Sequence, residues 1–481
     1  MKTLIVGGGT AGLITAIILK RRLDIEVDVV YSKNIGIVGV GEGSTEHFNE
    51  FMKFAGIDSH TIIKECDATF KCGIMFENWS EKPYLHSVGG VYITKAGQYP
   101  LAYGKLLSEG AEKINSQHPW DNKVDKSFLN RESNPPYNQY HFNTFKLNEF
   151  LTKFAKELGV KFFEDDIKHV VIKDNGFIDY LKGNNRNYNY DFYIDSTGFK
   201  RLLIEKLGAK WQSFGKYLKM KSAITFPTPD EDNYNIWTLS RALEYGWMFK
   251  IPVWGRHGNG YIFDSDYITE DQAKEEVESV LGFEVEVGRK FTFDPGALDR
   301  VWINNCVAIG LSGSFVEPLE ATSIGTSIQQ AFLLMHRLPN YDENSIKSYN
   351  KSVNDILLNI RDFLVLHYIT DKTSSIFWKD LQNLEIPDSL ADKMSLWSNR
   401  LPIKEDFSEL SEYILFRDEN FIAVMHGLGL YNKEAVAKEY MYTHPALRTW
   451  IESLLNDQTQ KDKLANTFTH KQLISLIREV S

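Results

Sequence analysis

An acidic residue, Glu320, lies where the sequence changes from a strand pattern to a helix pattern. Residues 307–310 form a short apolar run that ends at a glycine, which predicts a buried strand, and residues 312–314 loosen the chain before Pro318. A loop that enters a helix leaves backbone N–H groups free, and these attract anions such as phosphate, carboxylate or halide. The segment would therefore set a carboxylate beside an anion site. Acids such as Glu317 and Glu320 are also common in a first helical turn for electrostatic reasons alone.

A second candidate for chemistry is Lys71, in the apolar stretch 68–75. From residue types alone we favour a lysine that extends its ammonium to solvent along a buried stem. A lysine kept inside could donate hydrogen bonds or react through its amine. Cys72 beside it is expected to pack in the core, because the cysteines show no metal-type spacing with histidine, and no metal site is predicted. His367, in an apolar helical pattern, is also expected to be a core residue.

The first strand pattern, Lys2–Val6, runs directly into a glycine-rich turn that matches G-x-G-x-x-G, and a helical pattern follows over residues 13–19. This setting predicts a dinucleotide site with its pyrophosphate at the helix N-terminus. Gly7 permits the tight turn, Gly9 lets the backbone approach the pyrophosphate, and Gly12 allows close packing of helix on strand. The predicted cofactor contacts are Gly7, Gly9, Thr10, Ala11 and Gly12. The motif alone does not separate FAD from NAD.

The acid that usually binds the cofactor ribose should end the second strand, predicted over residues 25–31. Tyr31 occupies that position. Glu26 and Asp28 come earlier in the strand and are expected to face solvent by alternation. We therefore expect the cofactor to be held loosely.

Several separate blocks of the chain resemble the flavin-dependent tryptophan halogenases, and they occur in the same order. They are IVGGGTAG at 5–12, GVGEGS at 39–44, TFKCGIMFENW at 69–79, FYIDSTGFKRLL at 192–203, GWMFKIPVWGRHGNGYIF at 246–263, the Glu320 segment at 302–325 and RDFLVLHYIT at 361–370. The resemblance runs from Thr3 to the GLGL segment near Gly427.

The resemblance implies an α/β fold with an FAD-binding Rossmann-type module, like those of glutathione reductase and the flavin monooxygenases, and a mostly helical substrate module. We expect the FAD-binding module, with inserted sheet and loop segments, over residues 1–334 and the helical substrate module over 335–481. Strands are predicted at Lys2–Val6, 25–31, 161–163, Phe192–Asp195 and 307–310. Helical patterns lie at 346–368, 410–414, 433–440, 446–454 and 471–480.

Carried over by position, the resemblance makes Lys71 the catalytic lysine and Glu320 the catalytic glutamate, and it places the halide at the backbone amides of Thr322 and Ser323. In this family reduced flavin and O2 give a C4a-hydroperoxide, which halide attacks to form hypohalous acid. Lys71 would hydrogen-bond that acid or form a haloamine with it, and so direct the halogen to a bound arene. Glu320 would orient the electrophile and accept the arene proton. Further FAD contacts implied by the resemblance are Gly41, Glu42, Ile167, Leu311 and Ile324.

The flavin and halide regions depart from the family pattern at three positions. Phe249 stands for the second tryptophan of W-x-W-x-I-P. It keeps the bulk and loses the N–H donor, which leaves a monooxygenase reaction open. Ser323 replaces a glycine of the halide pair, and Ala321 replaces a serine that bridges the flavin and substrate regions.

The predicted substrate residues depart further. His86 is kept, Val88 cannot stack on an indole, and Phe416 stands for a tryptophan facing it, close to Asn420. Residues 407–420 do not show the tyrosine-rich segment that binds the amino-acid end of the substrate in the family. We therefore expect a site open to varied electron-rich phenols and indoles. Because such a site depends on the reactivity of the electrophile more than on orientation, we expect bromide or iodide to be used better than chloride.

Composition supports a cytoplasmic enzyme. The chain has 481 residues and a net charge of −10 without a basic stripe, which argues against a nucleic-acid partner. Three cysteines are too few for a disulfide framework, and no apolar run approaches the ~18 residues of a membrane span. One G-x-G-x-x-G motif implies that a separate reductase supplies FADH2. We also expect a homo-oligomer.

Two alternatives remain open at this stage. A flavin-dependent hydroxylase of an aromatic substrate would use the same hydroperoxide without Lys71. A non-catalytic flavin-fold binding protein would have lost the redox chemistry.

Overall fold

The computed structural model describes residues 1–37, 42–87, 99–112, 114, 117–130, 138–464 and 467–479. The strands are β1 Lys2–Val6, β2 Glu26–Tyr31, β3 Glu42–Gly43, β4 Thr69–Lys71, β5 Gly73–Glu77, β6 Tyr84–Ser87, β7 Lys123–Asp125, β8 Gln139–Phe142, β9 Lys161–Glu164, β10 Ile167–Ile172, β11 Ile178–Gly183, β12 Asn187–Tyr188, β13 Phe192–Asp195, β14 Trp211–Ser213, β15 Ser222–Pro229, β16 Thr238–Ala242, β17 Gly246–Val253, β18 Arg256–Phe263, β19 Arg289–Thr292, β20 Gly296–Leu298, β21 Trp302–Ile303, β22 Cys306–Ala308, β23 Ser314–Phe315 and β24 Thr467–Thr469.

The helices are α1 Thr10–Arg22, α2 His47–Ala55, α3 Ser59–Glu65, α4 Tyr99–Ser108, α5 Gln117–Trp120, α6 Thr144–Glu157, α7 Glu270–Leu281, α8 Thr322–Arg337, α9 Glu343–His367, α10 Ile376–Asp380, α11 Asp388–Trp397, α12 Asp418–Leu428, α13 Lys433–Tyr442, α14 Pro445–Leu464 and α15 His470–Glu479. Short 3-10 turns connect several of them, including one at Pro318–Glu320.

The five predicted strands come together in one sheet, whose order is β21-β22-β13-β1-β2-β9. The pairs β22–β13, β13–β1, β1–β2 and β2–β9 are parallel, as a Rossmann-type module requires. The sequence placed the last strand at 307–310, but it lies at Cys306–Ala308, because Gly310 takes a φ of 70° and opens a 3-10 turn. The predicted fold class is confirmed.

Both faces of this parallel sheet are covered, and one prediction about its second strand is wrong for that reason. Asp28 was expected to face solvent, but its exposed fraction is 7%. The hydroxyl of Tyr190 donates a hydrogen bond to the Asp28 carboxylate over 2.6 Å. Alternation predicts a solvent face where a strand has one, and here helices and loops lie on both sides.

Two further sheets carry the residues with chemistry. A seven-stranded sheet has the order β19-β15-β18-β17-β16-β5-β6, with Phe249 in β17 and His86 in β6. A three-stranded sheet, β3-β8-β4, carries Lys71 at the end of β4. We expected the inserted segments around residues 79–144 and 220–293, which contain β6, β8 and β15–β19, whereas β3, β4 and β5 precede them.

The helical patterns at 346–368, 433–440, 446–454 and 471–480 correspond to α9, α13, α14 and α15. The helix predicted at 410–414 does not form. The backbone there is held by α9 instead: Ser411 N–H donates to the Asp355 carboxylate, and Asn359 bonds both the N–H and the C=O of Phe416. These tertiary hydrogen bonds replace the helical ones.

Apolar side chains from both predicted modules share one core, which includes Leu13 of α1, Ile328 of α8 and Phe363 of α9. The boundary between residues 334 and 335 falls inside α8 and stays a prediction. Within the described ranges, no helix is long and apolar enough to cross a lipid bilayer.

Candidate active site

Glu320 is followed by a residue with a left-handed backbone conformation, and its side chain points into the protein. Glu320 ends the 3-10 turn Pro318–Glu320, and Ala321 follows with φ 54° and ψ 36° before α8 begins. An L-residue in this conformation costs roughly 1–2 kcal/mol, which the surrounding packing must offset. The exposed fraction of Glu320 is 3%. The acid predicted at a strand-to-helix junction is thus a buried carboxyl.

Two histidines hold the Glu320 carboxylate. Nδ1 of His86 lies 2.9 Å from both oxygens, and Nε2 of His367 lies 2.9 Å from Oε1. Burial by itself would raise the pKa of Glu320, but the charge and hydrogen bonds of His86 and His367 outweigh it and lower the pKa to about 2. Glu320 is therefore a carboxylate at every physiological pH.

Both histidines connect Glu320 to a second partner. Nδ1 of His367 lies 2.8 Å from the carbonyl oxygen of Phe363. Nε2 of His86 lies 3.2 Å from Nδ2 of Asn420. Each ring is therefore held at both nitrogens, with one nitrogen facing the Glu320 carboxylate.

His367 is buried as the sequence predicted, but its contact with Glu320 was missed. A histidine among Phe363, Leu364, Val365 and Leu366 needs polar partners once it is buried, and that need was the available signal. The sequence could not say which group supplies the partner, since the contact joins residues 47 positions apart.

Lys71 does not reach solvent. Its side chain is 1% exposed and Nζ donates to the carbonyl oxygen of Ser44 over 2.9 Å. Burial lowers the pKa of Lys71 to about 8, against the opposing pull of Glu320 and Glu46. A Cβ added at Gly43 would lie 3.5 Å from both Lys71 Nζ and Ala321 Cβ, which places the amine next to the start of α8.

The predicted halide pair, Thr322 and Ser323, forms the first two residues of α8. Ala321, the residue that precedes the helix, makes no side-chain hydrogen bond to the helix start. First-turn amides of this kind suit an anion. Thr322 is buried, whereas Ser323 is exposed.

An apolar cavity of ≈ 180 Å³ lies beside these groups. Its wall includes Leu311 and Ile324, predicted to contact flavin, and Ser323 of the halide pair. The remaining lining is Gly43, Ile74, Phe199, Ala223, Thr225, Thr238, Phe249, Ile251, Ile262, Phe291, Phe293, Phe315, Val316, Pro318, Leu319 and Ala321. A Cβ on Gly43 would lie 3.5 Å from Lys71 Nζ, so the lysine amine lies near a cavity wall that contains predicted flavin and halide residues.

The glycine-rich turn has the space that a pyrophosphate needs. Gly7 has φ 119°, and a Cβ there would lie 2.2 Å from the Ser196 carbonyl oxygen. A Cβ on Gly12 would lie 2.4 Å from the Gly7 carbonyl oxygen, while a Cβ on Gly9 would meet nothing within 4 Å. The first turn of α1 carries no acid and no side-chain cap, so its amides suit phosphate oxygens.

The remaining predicted cofactor residues take varied places. Thr10 and Ala11 begin α1, Ile167 begins β10 and is partly buried, and Glu42 pairs with Phe142 between β3 and β8. Gly41 lies outside the described residues.

On the substrate side the structure brings together His86, Phe416 and Asn420. The Phe416 ring stacks on Phe363 with centroids 4.0 Å apart and lies 6.4 Å from the His86 ring. Asn420 lies in the first turn of α12, and its Nδ2 is 3.2 Å from Nε2 of His86. Val88 lies outside the described residues.

Glu317 is a second buried carboxyl, which sequence reasoning treated as an ordinary first-turn acid. The Tyr368 hydroxyl donates to Glu317 Oε2 over 2.9 Å, and Trp247 Nε1 donates to that hydroxyl over 3.0 Å. Burial raises the pKa of Glu317 to about 8, although hydrogen bonds from Tyr368 and Trp247 oppose this. Glu317 is therefore mostly protonated at neutral pH, unlike Glu320.

Comparison with known proteins identifies the class of enzyme. The sequence model described as tryptophan halogenase matches residues 2–440. The chain belongs to the tryptophan halogenase family. Family membership makes it a flavin-dependent halogenase of aromatic substrates, with FAD as cofactor and a separate reductase. A non-catalytic flavin-fold protein, one of the two alternatives, is thereby set aside.

Relatives with stated activities match most of the chain. The 7-chloro-L-tryptophan 6-halogenase KtzR of Kutzneria sp. is 32% identical over 83% of this chain and 86% of its own length. The tryptophan 7-halogenase RebH of Lentzea aerocolonigenes is 29% identical over 89% of each chain. The crystal structure of a tryptophan halogenase from Shewanella frigidimarina superposes with a TM-score of 0.92 at 27% identity, covering 100% of this chain and 98% of that one.

Proposed function

We propose that the protein halogenates electron-rich aromatic compounds, with Lys71 directing the electrophile and Glu320 assisting it. The observation that carries the proposal is the placement of a buried lysine amine at Gly43 of the cavity wall and near Ala321, the residue that follows the ionised Glu320. Reduced FAD, bound between the glycine-rich turn and this cavity, would supply hypohalous acid from O2 and halide.

Lys71 is suited to hold hypohalous acid. Its ammonium has three N–H donors, and the Ser44 carbonyl takes one of them. The other two N–H groups could donate to the oxygen of hypohalous acid. These hydrogen bonds would polarise the oxygen–halogen bond. With its pKa at about 8, a minor amine fraction is also present at neutral pH. That amine could attack the halogen to form an N–halogen bond with loss of water, which is the haloamine alternative.

Glu320 remains ionised because His86 and His367 stabilise its negative charge. A carboxylate with so low a pKa is a weak base, but the arenium ion formed by halogen attack is a strong acid and gives up its proton readily. Glu320 would accept that proton and stabilise the positive charge of the arenium ion before the proton leaves. His86 and His367 hold the carboxylate in one orientation.

The binding roles are assigned to the remaining predicted residues. Gly7, Gly9, Gly12 and the start of α1 would hold the pyrophosphate of FAD, with Leu311 and Ile324 against its ring system. The Thr322 and Ser323 amides would hold halide. Tyr31, packed beside the turn where a ribose-binding acid is usual, supports loose retention of FAD.

We further propose broad substrate scope and a preference for bromide or iodide over chloride. Of Phe416 and His86, the two rings expected to sandwich an indole, Phe416 stacks on Phe363. His86, which packs edge-on against Phe363, is then the remaining ring for the substrate. Weak positioning penalises the halide that is hardest to oxidise. Bromide and iodide also shed water more easily than chloride when they enter the amide site.

Turnover with a flavin reductase, NADH, FAD and equimolar halides, against a panel of phenols and indoles, tests these proposals by product mass and isotope pattern. We expect mono-brominated or iodinated products from several small arenes. Clean chlorination of free tryptophan at one ring position, with other arenes refused, would contradict the proposed scope.

Hydroxylation is the second candidate, because Phe249 in the cavity wall lacks the N–H donor of a tryptophan. Products heavier by one oxygen, formed without halide, would support it. The Phe249→Trp variant is the matched control, since it should suppress any such products and keep halogenation.

A further inference from the structure

The C-terminal segment 467–479 contacts the strand that carries Lys71. It consists of β24, which pairs with β7, and helix α15. This segment lies beyond residues 2–440, the part of the chain that the sequence model of the family matches. Its first helical residue, His470, is fully buried.

The strand β4 is bonded differently along its two edges. On one edge it pairs with β8, with Thr69 opposite His141 and Lys71 opposite Gln139. On the other edge, Cys72 N–H donates to the Ile236 carbonyl oxygen over 2.6 Å. Two residues earlier, none of the strands that the structure describes accepts a hydrogen bond from the Phe70 N–H.

An imidazole fills that gap. Phe70 N–H donates to Nε2 of His470 over 3.0 Å, and Nδ1 of His470 lies 3.1 Å from the Asn235 carbonyl oxygen. The ring therefore carries its proton on Nδ1 and bridges the backbone of β4 to the backbone of residue 235. Burial lowers the pKa of His470 to about 4, although the Asn235 carbonyl opposes this, so the bridging neutral form persists at physiological pH.

The rest of α15 ties down the chain on either side of this bridge. Lys471 Nζ lies 2.7 Å from Asp230, in the loop that leads to residue 235. Arg478 donates to the Ile63 carbonyl oxygen over 2.7 Å and lies 3.6 Å from Asp67, just before β4. The helix thus connects the loop at the open edge of β4 with the chain segment that leads into β4.

We propose that His470 is a positioning residue for Lys71 and that segment 467–479 is a clasp on the lysine-bearing strand. The bridge and the Cys72 bond hold the backbone immediately before and after Lys71. Without the bridge, the Phe70 N–H would lose its partner, and the edge of β4 opposite β8 would keep the Thr69 hydroxyl bond to the Pro252 carbonyl and the Cys72 bond to Ile236. Lys71, which lies between Phe70 and Cys72, could then shift and move Nζ away from its position beside Gly43. A displacement of ~1 Å in a reacting group can reduce rates by ~100-fold. The proposal rests on the proposed role of Lys71.

The test uses three variants of the full chain. His470→Phe keeps the ring volume and removes both nitrogens. His470→Gln keeps one acceptor and one donor, and should restore much of the bridge. Leu476→Ala, at an exposed position of the same helix, controls for general effects on α15.

The first measurement is hydrogen exchange of peptides covering residues 69–73 in the protein without FAD. We expect exchange at least 10-fold faster in His470→Phe, near the wild-type rate in His470→Gln, and unchanged in Leu476→Ala. The second is halogenated product per O2 consumed, which should fall 10- to 100-fold in His470→Phe while FADH2 oxidation is unchanged. Exchange that rises uniformly over the chain, or a yield that stays at the wild-type level, would overturn the proposal.

Lys71→Ala separates this inference from the proposed function. Halogenation by Lys71→Ala would overturn the proposed function. If Lys71→Ala is inactive and His470→Phe keeps wild-type exchange and yield, the clasp alone is wrong.

Discussion

Nε2 of His367 lies 2.9 Å from Oε1 of Glu320, and both side chains are almost fully buried. The other nitrogen of His367 lies 2.8 Å from the Phe363 carbonyl oxygen. Burial would raise the pKa of Glu320, but His86 and His367 outweigh it and lower that pKa to about 2. Removing His367 would leave a buried carboxylate with one partner fewer, which is costly.

His367→Phe should reduce kcat for halogenation by roughly 10- to 100-fold, since a hydrogen bond to a charged group contributes about 1.5–3 kcal/mol. Loss of the imidazole removes one cause of the low pKa of Glu320, so that pKa should rise and the acid limb of the pH–rate profile should move to higher pH. The profile of His367→Gln, which keeps a donor, should lie between those of wild type and His367→Phe. A wild-type profile in His367→Phe would show that the contact between His367 and Glu320 has no part in turnover.

Glu317→Gln and Glu320→Gln should differ sharply in their rates of halogenation. The pKa of Glu317 is raised to about 8, so an amide resembles its neutral state, and kcat should stay within about threefold of wild type. Glu320→Gln replaces an ionised base and should lose most halogenation. Steady-state rates of both variants with one arene make the comparison, and equal losses would contradict it.

The same pair gives a stability test. Because the pKa of Glu317 rises from its usual 4.5 to about 8 on folding, its stabilising contribution is complete below pH 4.5 and is lost as pH rises to about 8. The free energy of unfolding of wild type should therefore fall relative to Glu317→Gln across this window. Urea titrations at several pH values measure the difference, and a constant difference would show that Glu317 titrates normally.

Lys71→Met should stabilise the fold at pH 7. A pKa lowered from 10.5 to about 8 corresponds to ~3 kcal/mol of unfavourable burial of the ammonium. The unfolded chain binds more protons between about pH 8 and 10.5, so wild type gains stability over that range and the advantage of Lys71→Met should shrink. Chemical denaturation at pH 7 and 10 tests this. Lys53→Met, at an exposed position, is the control and should show no such trend.

Gly9→Ala and Gly12→Ala should separate cofactor binding from folding. A Cβ on Gly9 meets open space, so the protein without FAD should keep its stability while the Kd for FAD rises at least 10-fold. A Cβ on Gly12 would lie 2.4 Å from the Gly7 carbonyl oxygen. The melting temperature of Gly12→Ala should therefore be several degrees below that of wild type even without FAD. Unchanged FAD affinity in Gly9→Ala would place the pyrophosphate elsewhere.

Local patterns predicted the parts of the fold that local physics determines. The turn from β1 into α1 needs three glycines, and the parallel strands read as apolar runs, so the Rossmann-type sheet could be predicted strand by strand. The burial of Asp28 and the irregular chain at 410–414 depend on Tyr190, Asp355 and Asn359, which are remote in sequence. Periodicity carries no information about such partners.

Within the candidate site, too, the sequence did not reveal the partners that are remote along the chain. Lys71 and Glu320 could be selected from motifs, but their ionisation could not, because it depends on burial and on histidines from β6 and α9. Glu317 and Glu320 have the same side chain three positions apart in one turn. Burial raises the pKa of both acids, but His86 and His367 outweigh it at Glu320, whereas the hydrogen bonds of Tyr368 and Trp247 do not outweigh it at Glu317.

We propose that Lys71 acts after hypohalous acid has formed and directs it to the arene. The measurement is turnover of wild type and Lys71→Ala with reductase, FAD, bromide and an indole, in parallel reactions with a soluble scavenger of hypohalous acid. We expect Lys71→Ala to oxidise FADH2 at the wild-type rate, to give no brominated indole, and to release hypobromous acid to the scavenger. Brominated indole from Lys71→Ala at an appreciable fraction of the wild-type rate would contradict the account.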